Sequence, residues 1–216
     1  MLITDQKLYN IPNLLIENSV VTQVSSAKFL GIVIDDRLNF KIHINRLCNR
    51  LAFHIGVIRR ISKFLPTETL QSLYFSFIQS HLCFGLPVWG SCAPTNLRRV
   101  ISLQRRALQL CQSNRTALGF TQLYNYTCMS KFMKDYIFGI GRPLCDISRF
   151  FPNHMHNTRF RIGLNLSGPT MLKTKCQQSY VYCACKQWNT LPVYLRDCST
   201  MKIFKKLFKA YLLVQH

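Results

Sequence analysis

Apolar residues recur every three or four positions from residue 42 to residue 63. Ile44, Leu47, Leu51, Ile55 and Ile58 form one stripe, and Arg46, Asn49, Arg50, Arg59, Arg60 and Lys63 lie mostly off it. This is the period of an amphipathic helix. A second helix is expected at about 67–84, opened by Pro66 and closed by Gly85 and Pro87, with Leu70, Leu73, Tyr74, Phe77, Ile78 and His81 on its inner face. A third is expected at about 96–112, with Thr95 as its N-cap and Leu97, Val100, Ile101, Gln104, Ala107, Leu108 and Cys111 inside. Short connections would fold the three into an antiparallel bundle. A further helix is expected at about 119–138 and a closing one at about 200–213. The latter sets Phe204, Leu207, Phe208, Tyr211 and Leu212 against Lys202, Lys205, Lys206 and Lys209, with Ser199 or Thr200 as the cap.

The pattern before the helices is different. Residues 13–17, 20–24 and 28–34 read as short antiparallel strands, the last one buried and bulged at Gly31. Asp35-Asp36 then turns the chain. Residues 116–200 are less regular, broken by Pro143, Pro152, Gly163, Gly168 and Pro169. Within them Tyr180, Val181, Tyr182 and Ala184 interleave with Cys183 and Cys185 as in a strand. The expected class is mainly α (α+β), with boundaries at 1–36, 37–115 and 116–216. The parts are a short antiparallel β edge, a three-helix bundle and a mixed, helix-ended C-terminal region.

Charge changes the picture most. The 216 residues carry 28 Lys and Arg against 8 Asp and Glu, a net charge of +20. Residues 1–36 hold 2 basic and 4 acidic residues, whereas residues 37–115 hold 12 basic residues and one acidic residue, Glu68. A folded chain this basic is drawn to polyanions, nucleic acid first and an anionic membrane surface second. The 21 residues from Thr69 to Trp89 lack any Asp, Glu, Lys or Arg, yet Gln71, Ser72, Gln79, Ser80 and His81 interrupt them, so an amphipathic helix is expected there and not a membrane span. Met1–Asp5 lacks the basic and apolar regions of a secretory leader. The ten cysteines are expected as reduced thiols of an intracellular protein, nuclear or cytoplasmic.

Several blocks, in order, resemble the reverse transcriptases of non-LTR (LINE-type) retrotransposons. They are Phe29-Leu30-Gly31; Phe64-Leu65-Pro66; Leu70 through Leu73-Tyr74; Pro87-Val88-Trp89-Gly90; and Leu103-Gln104-Arg105-Arg106-Ala107. Towards the end follow His156-Asn157-Thr158-Arg159, Trp188-Asn189-Thr190-Leu191-Pro192 and Phe204 through Lys209. The resemblance implies that residues 1–36 are the edge of a polymerase palm, with Phe29, Leu30 and Gly31 as a primer-grip-like hairpin. It implies a thumb at 37–115 and a basic C-terminal extension at 116–216.

Candidate chemistry is sparse. Such polymerases hold two Mg²⁺ with an Asp pair and one more carboxylate. Asp35-Asp36 follows a strand, but Val33 stands where that family carries an aromatic residue, and only Asp5 and Glu17 precede the pair. A turn that leads into the helix is the expected role. No cofactor is expected. A zinc site drawn from His154, His156, Cys176, Cys183 and Cys185 lacks the usual ligand spacing. Trp188 with Pro192 is expected as a packing anchor, with base stacking as the alternative. Arg46, Arg50, Arg59, Arg60, Arg98, Arg99, Arg105 and Arg106 are the expected phosphate contacts.

The expected function is thus that of a non-catalytic piece of an RNA-directed DNA polymerase. It would bind an RNA–DNA hybrid or duplex backbone without sequence preference, with a separately supplied polymerase half as a further candidate partner. The alternatives are a host-recruited protein-interaction module and a decayed copy without function.

Overall fold

The computed structural model describes residues 15–17, 19–112, 116–139 and 179–214. Two small antiparallel hairpins come first. Strand β1 (Leu15–Ile16) pairs with β2 (Ser19–Val20), and β3 (Ser26–Phe29) pairs with β4 (Ile32–Asp35) in the register Ser26↔Asp35 to Phe29↔Ile32. The expected strand over 20–24 shortens to Ser19–Val20. The single bulged strand expected over 28–34 is instead a hairpin. Leu30 and Gly31, at φ 46° and 86°, make its two-residue turn, and positive φ at both central residues suits the right-handed twist of the flanking strands. Asp35 then serves the chain's next turn. Its Oδ1 accepts from the Asn39 N–H at 2.7 Å, just before the first helix.

Helix α1 (Lys41–Ile61) buries the stripe read from the sequence: Ile44, Leu47, Leu51, Ile55 and Ile58, joined by His43 and Cys48. The next helical rod is α2 (Thr67–Leu73), a π-helical stretch (Tyr74–Gln79) and α3 (Ser80–Cys83). Leu70, Tyr74, Ile78 and Leu82 are its buried residues, spaced by four. The wider π turn rotates less per residue than an α turn, so a four-residue spacing stays on one side. This corrects the expected inner face: Phe77 is 43% exposed and His81 only half-buried.

Gly85 turns the chain into the single turn α4 (Leu86–Trp89). Gly90 follows where a side chain has no room. A Cβ there would sit 2.6 Å from both the Leu86 carbonyl oxygen and the Tyr124 ring. Helix α5 (Pro94–Leu110) packs along α1 and buries Leu97, Val100, Leu103, Gln104, Ala107 and Leu108. It starts earlier than expected. Pro94 occupies its first turn, where no N–H is missed, and Thr95 lies inside rather than at the cap. Buried Gln104 donates to the Tyr74 hydroxyl and to the Leu118 carbonyl, both at 3.0 Å, and so fastens three segments within the core.

Helix α6 (Phe120–Phe132) runs into a second π-helical stretch (Met133–Ile137). After it come α7 (Tyr180–Trp188), α8 (Val193–Arg196) and α9 (Met201–Val214). Helix α7 corrects the strand expected around Cys183. Ser179 caps it, its Oγ accepting from the Tyr182 N–H, and a cap outweighs the strand preference of Tyr-Val-Tyr. Thr200 caps α9 in the same way through the Ile203 N–H. Gln122 Nε2 donates to the Leu212 carbonyl at 2.6 Å, tying α9 to α6. One cluster of buried side chains runs from Phe40 to Leu212. Among the described residues no helix is long and apolar enough to cross a membrane.

Candidate nucleic-acid interface

All eight arginines singled out in the sequence are exposed. The reason is their phase: they stand on α1 and α5 away from the stripe that each helix buries against the other. The structure separates them into groups. Arg98, Arg105 and Arg106 line one open groove of about 380 Å³ on α5, with Ile101, Ser102 and Gln109 between them. Arg46 and Arg50 line a cleft of about 500 Å³ between α1 and the β3–β4 hairpin. Arg59 and Arg60 occupy the last turn of α1, where cations suit the helix dipole. Arg99 is partly engaged, since its Nη2 donates to Asn49 Oδ1 on α1 at 3.3 Å. Among the described residues none of the eight meets a carboxylate.

The hairpin residues divide as well. Phe29 and Leu30 form an apolar tip, 64% and 78% exposed, while Gly31 reaches the cleft and lies against the Phe84 ring. Lys28 adds a cation to the same cleft. The hairpin is fastened to α1 through His43, whose Nδ1 accepts the Val33 N–H at 3.4 Å.

Sequence reasoning missed a cluster of histidines. His54 stacks on His81 at 5.2 Å and on Phe77 at 5.3 Å, with exposed Phe53 beside it. Burial, then Arg50, holds His54 and His81 below the usual histidine range, and His54 also presses on His81. Burial, then Arg50 and Arg46, does the same to His43. The one legible signal was the i, i+4 spacing of Arg50 and His54 on α1.

The depressed histidines have a consequence for stability. A folded state that prefers neutral histidine loses stability as pH falls from about 6.5 through the lower folded values, because the unfolded chain takes up the protons first. Protonated His43 also cannot accept the Val33 N–H. Urea midpoints are therefore expected to fall between pH 7.5 and pH 5.5, with the Val33 amide losing hydrogen-exchange protection first. A flat pH profile in His43→Gln would assign the largest share to this residue. An equal fall in that variant would refute the assignment.

The other expected chemistry resolves differently. Trp188 is 1% exposed and packs near Phe132, so it is an anchor and not a free stacking surface. Of the zinc set, His154, His156 and Cys176 lie outside the described residues. Cys183 and Cys185 sit two apart on α7, a spacing that points side chains to different sides of a helix. Among the described residues, eight cysteines stand outside any disulfide. Burial pushes Cys92 and Cys111 up to about 11 and Cys128 to about 12, which keeps them protonated and unreactive near neutrality.

No protein-family model matches the chain, and no solved structure matches it. Three proteins of Drosophila melanogaster are similar to it. A probable RNA-directed DNA polymerase from transposon BS is 30% identical over 97 residues, 44% of this chain. A probable RNA-directed DNA polymerase from transposon X-element is 27% identical over 103 residues, 46% of the chain. The RNA-directed DNA polymerase from mobile element jockey is 27% identical over 103 residues, 45% of the chain. The chain spans 11% of the length of each. Over less than half its length, then, this chain is related to the reverse transcriptases of LINE-type retrotransposons.

Proposed function

We propose that this chain binds the phosphate backbone of nucleic acid without sequence preference, as a thumb-like part of a reverse-transcriptase-related protein. It carries no polymerase chemistry of its own in this reading, because Asp35 is spent on the turn into α1 and Val33 replaces the aromatic of the metal-binding hairpin. The observation that carries the reading is the pair of arginine faces on α1 and α5, exposed and unopposed by carboxylate among the described residues. Phosphate neutralisation by such side chains releases counterions and needs no base contact. The division into palm edge, thumb and basic extension belongs to the same proposal.

Salt titration of binding to an RNA–DNA hybrid, a DNA duplex and single strands tests it. Log affinity for the hybrid is expected to fall steeply with log salt, by a slope equal to several phosphates at about 0.9 each. Preference for the hybrid supports a thumb. Equal binding to all three leaves a basic surface alone, and no binding near physiological salt refutes the reading.

A second reading has an observation of its own. Leu15, Ile16, Val20, Phe29 and Leu30 are all at least 60% exposed on two hairpins, and unpaired apolar strand edges dock on protein. A separately supplied polymerase half is the partner this reading names.

A further inference from the structure

We propose that the cleft between the β3–β4 hairpin and α1 is a proton-linked phosphate site, in which a backbone phosphodiester seats against Arg46, Arg50 and Lys28 and His81 takes up a proton as it binds. The proposal rests on the nucleic-acid reading above and adds the site and its linkage. The cleft holds about 500 Å³, enough for a phosphate with its flanking sugars, and three elements converge on it. Strand β3 supplies Lys28, α1 supplies His43, Arg46 and Arg50, and α3 supplies Ser80 and His81. No carboxylate is among its described lining, so the cations have no internal counter-charge there. Like charges gathered around one cleft repel each other, and an anion seated among them relieves that repulsion.

The histidines set the linkage. His81 lines the cleft, and His54 stacks on it from α1 with 22° between the rings. Arg50 faces both and opposes their protonation. A phosphate beside Arg50 relieves that opposition, because its negative charge offsets the guanidinium and favours imidazolium. The proton comes from solvent and settles on the His81 ring, and the like charge then disfavours a second proton on stacked His54. Ser80 stands at the same rim, its hydroxyl donating back to the Ser76 carbonyl. His43 also faces the cleft, but the Val33 N–H occupies its Nδ1, so its titration opens the hairpin instead of helping the ligand.

The test compares the full chain with two double variants, His54→Gln/His81→Gln and Arg46→Gln/Arg50→Gln, by anisotropy of a labelled RNA–DNA hybrid from pH 8 to pH 6 at fixed ionic strength. Inorganic phosphate is titrated in parallel against the histidine ring resonances of the unaltered chain. Affinity of the unaltered chain is expected to rise as pH falls, by at most about tenfold per unit for each proton taken up. The histidine variant should flatten that rise, and the arginine variant should lose about tenfold in affinity together with the rise. Inorganic phosphate should shift the His81 resonances and raise its titration midpoint. Hybrid binding with the same pH dependence in all three proteins overturns the cleft proposal and leaves the general reading standing. Phosphate-dependent titration of His81 without hybrid binding overturns the nucleic-acid reading and the backbone ligand, and leaves a site for free phosphate. Neither response overturns both.

Discussion

Trp89→Ala is expected to cost about 3–5 kcal/mol, the usual range for emptying a buried aromatic site. That is a large share of the total stability of a domain this size. Trp89 is fully buried on the single turn α4, and its environment explains the size of the effect. Its indole Nε1 donates to the Phe84 carbonyl at 2.8 Å. Its ring lies 5.8 Å from His43 on α1 and 5.9 Å from Phe120 on α6. The side chain therefore joins three pieces: the helix that holds the hairpin, the turn that ends the α2–α3 rod, and the start of α6. Alanine would leave a cavity at that junction and strand a carbonyl without its donor. Collapse is restricted because Gly90 already brings the backbone against Tyr124. Urea unfolding followed by far-ultraviolet circular dichroism is the measurement. A midpoint within error of the parent protein would show that Trp89 is not the junction's anchor. Trp89→Phe should recover most of the packing and lose only the donor, at about 1–2 kcal/mol.

The same junction shows what the sequence could and could not reveal. The α1 stripe was legible because Ile44, Leu47, Leu51, Ile55 and Ile58 keep an undisturbed helical period. The rod after it was legible as helix but not in phase. Nothing in Tyr74–Gln79 announces a π turn, and the turn moves Phe77 and His81 off the inner face. The hairpin was half legible. Phe29-Leu30-Gly31 stood out as a block, but a leucine at positive φ is unusual, so the segment read as a strand instead of a turn. Helix α7 was misread because Tyr180, Val181 and Tyr182 favour strands one by one. Ser179 was the overlooked signal. The candidate interface divides the same way. Helical phase set the eight arginines mostly off the buried stripes without saying which of them face outward, whereas the cleft, with Lys28 from β3 and His81 from α3, needs tertiary structure that no local pattern encodes.

Arg98→Glu/Arg105→Glu/Arg106→Glu should lower affinity for an RNA–DNA hybrid by about a thousandfold near physiological salt. The three side chains share one groove on α5 and make no ion pair among the described residues, so their charge is available to an incoming phosphate. Each neutralised phosphate is worth about 0.9 of slope in log affinity against log salt, so giving up three of them at about 0.15 M ionic strength costs about two decades. Reversal of sign adds repulsion of the remaining phosphates and brings the total to about three. Glutamine at the same positions should therefore show about a hundredfold loss with a slope shallower by about three units. The fold should tolerate both triple variants, because all three positions are exposed on a helix whose stability comes from its opposite face. Arg99 makes the internal comparison. Its guanidinium is held by Asn49, so Arg99→Gln should change affinity less than any one of the three. If the triple glutamate variant binds the hybrid as tightly as the parent with an unchanged salt slope, the α5 groove is a solvated face. The basic character would then act through α1 and the hairpin cleft.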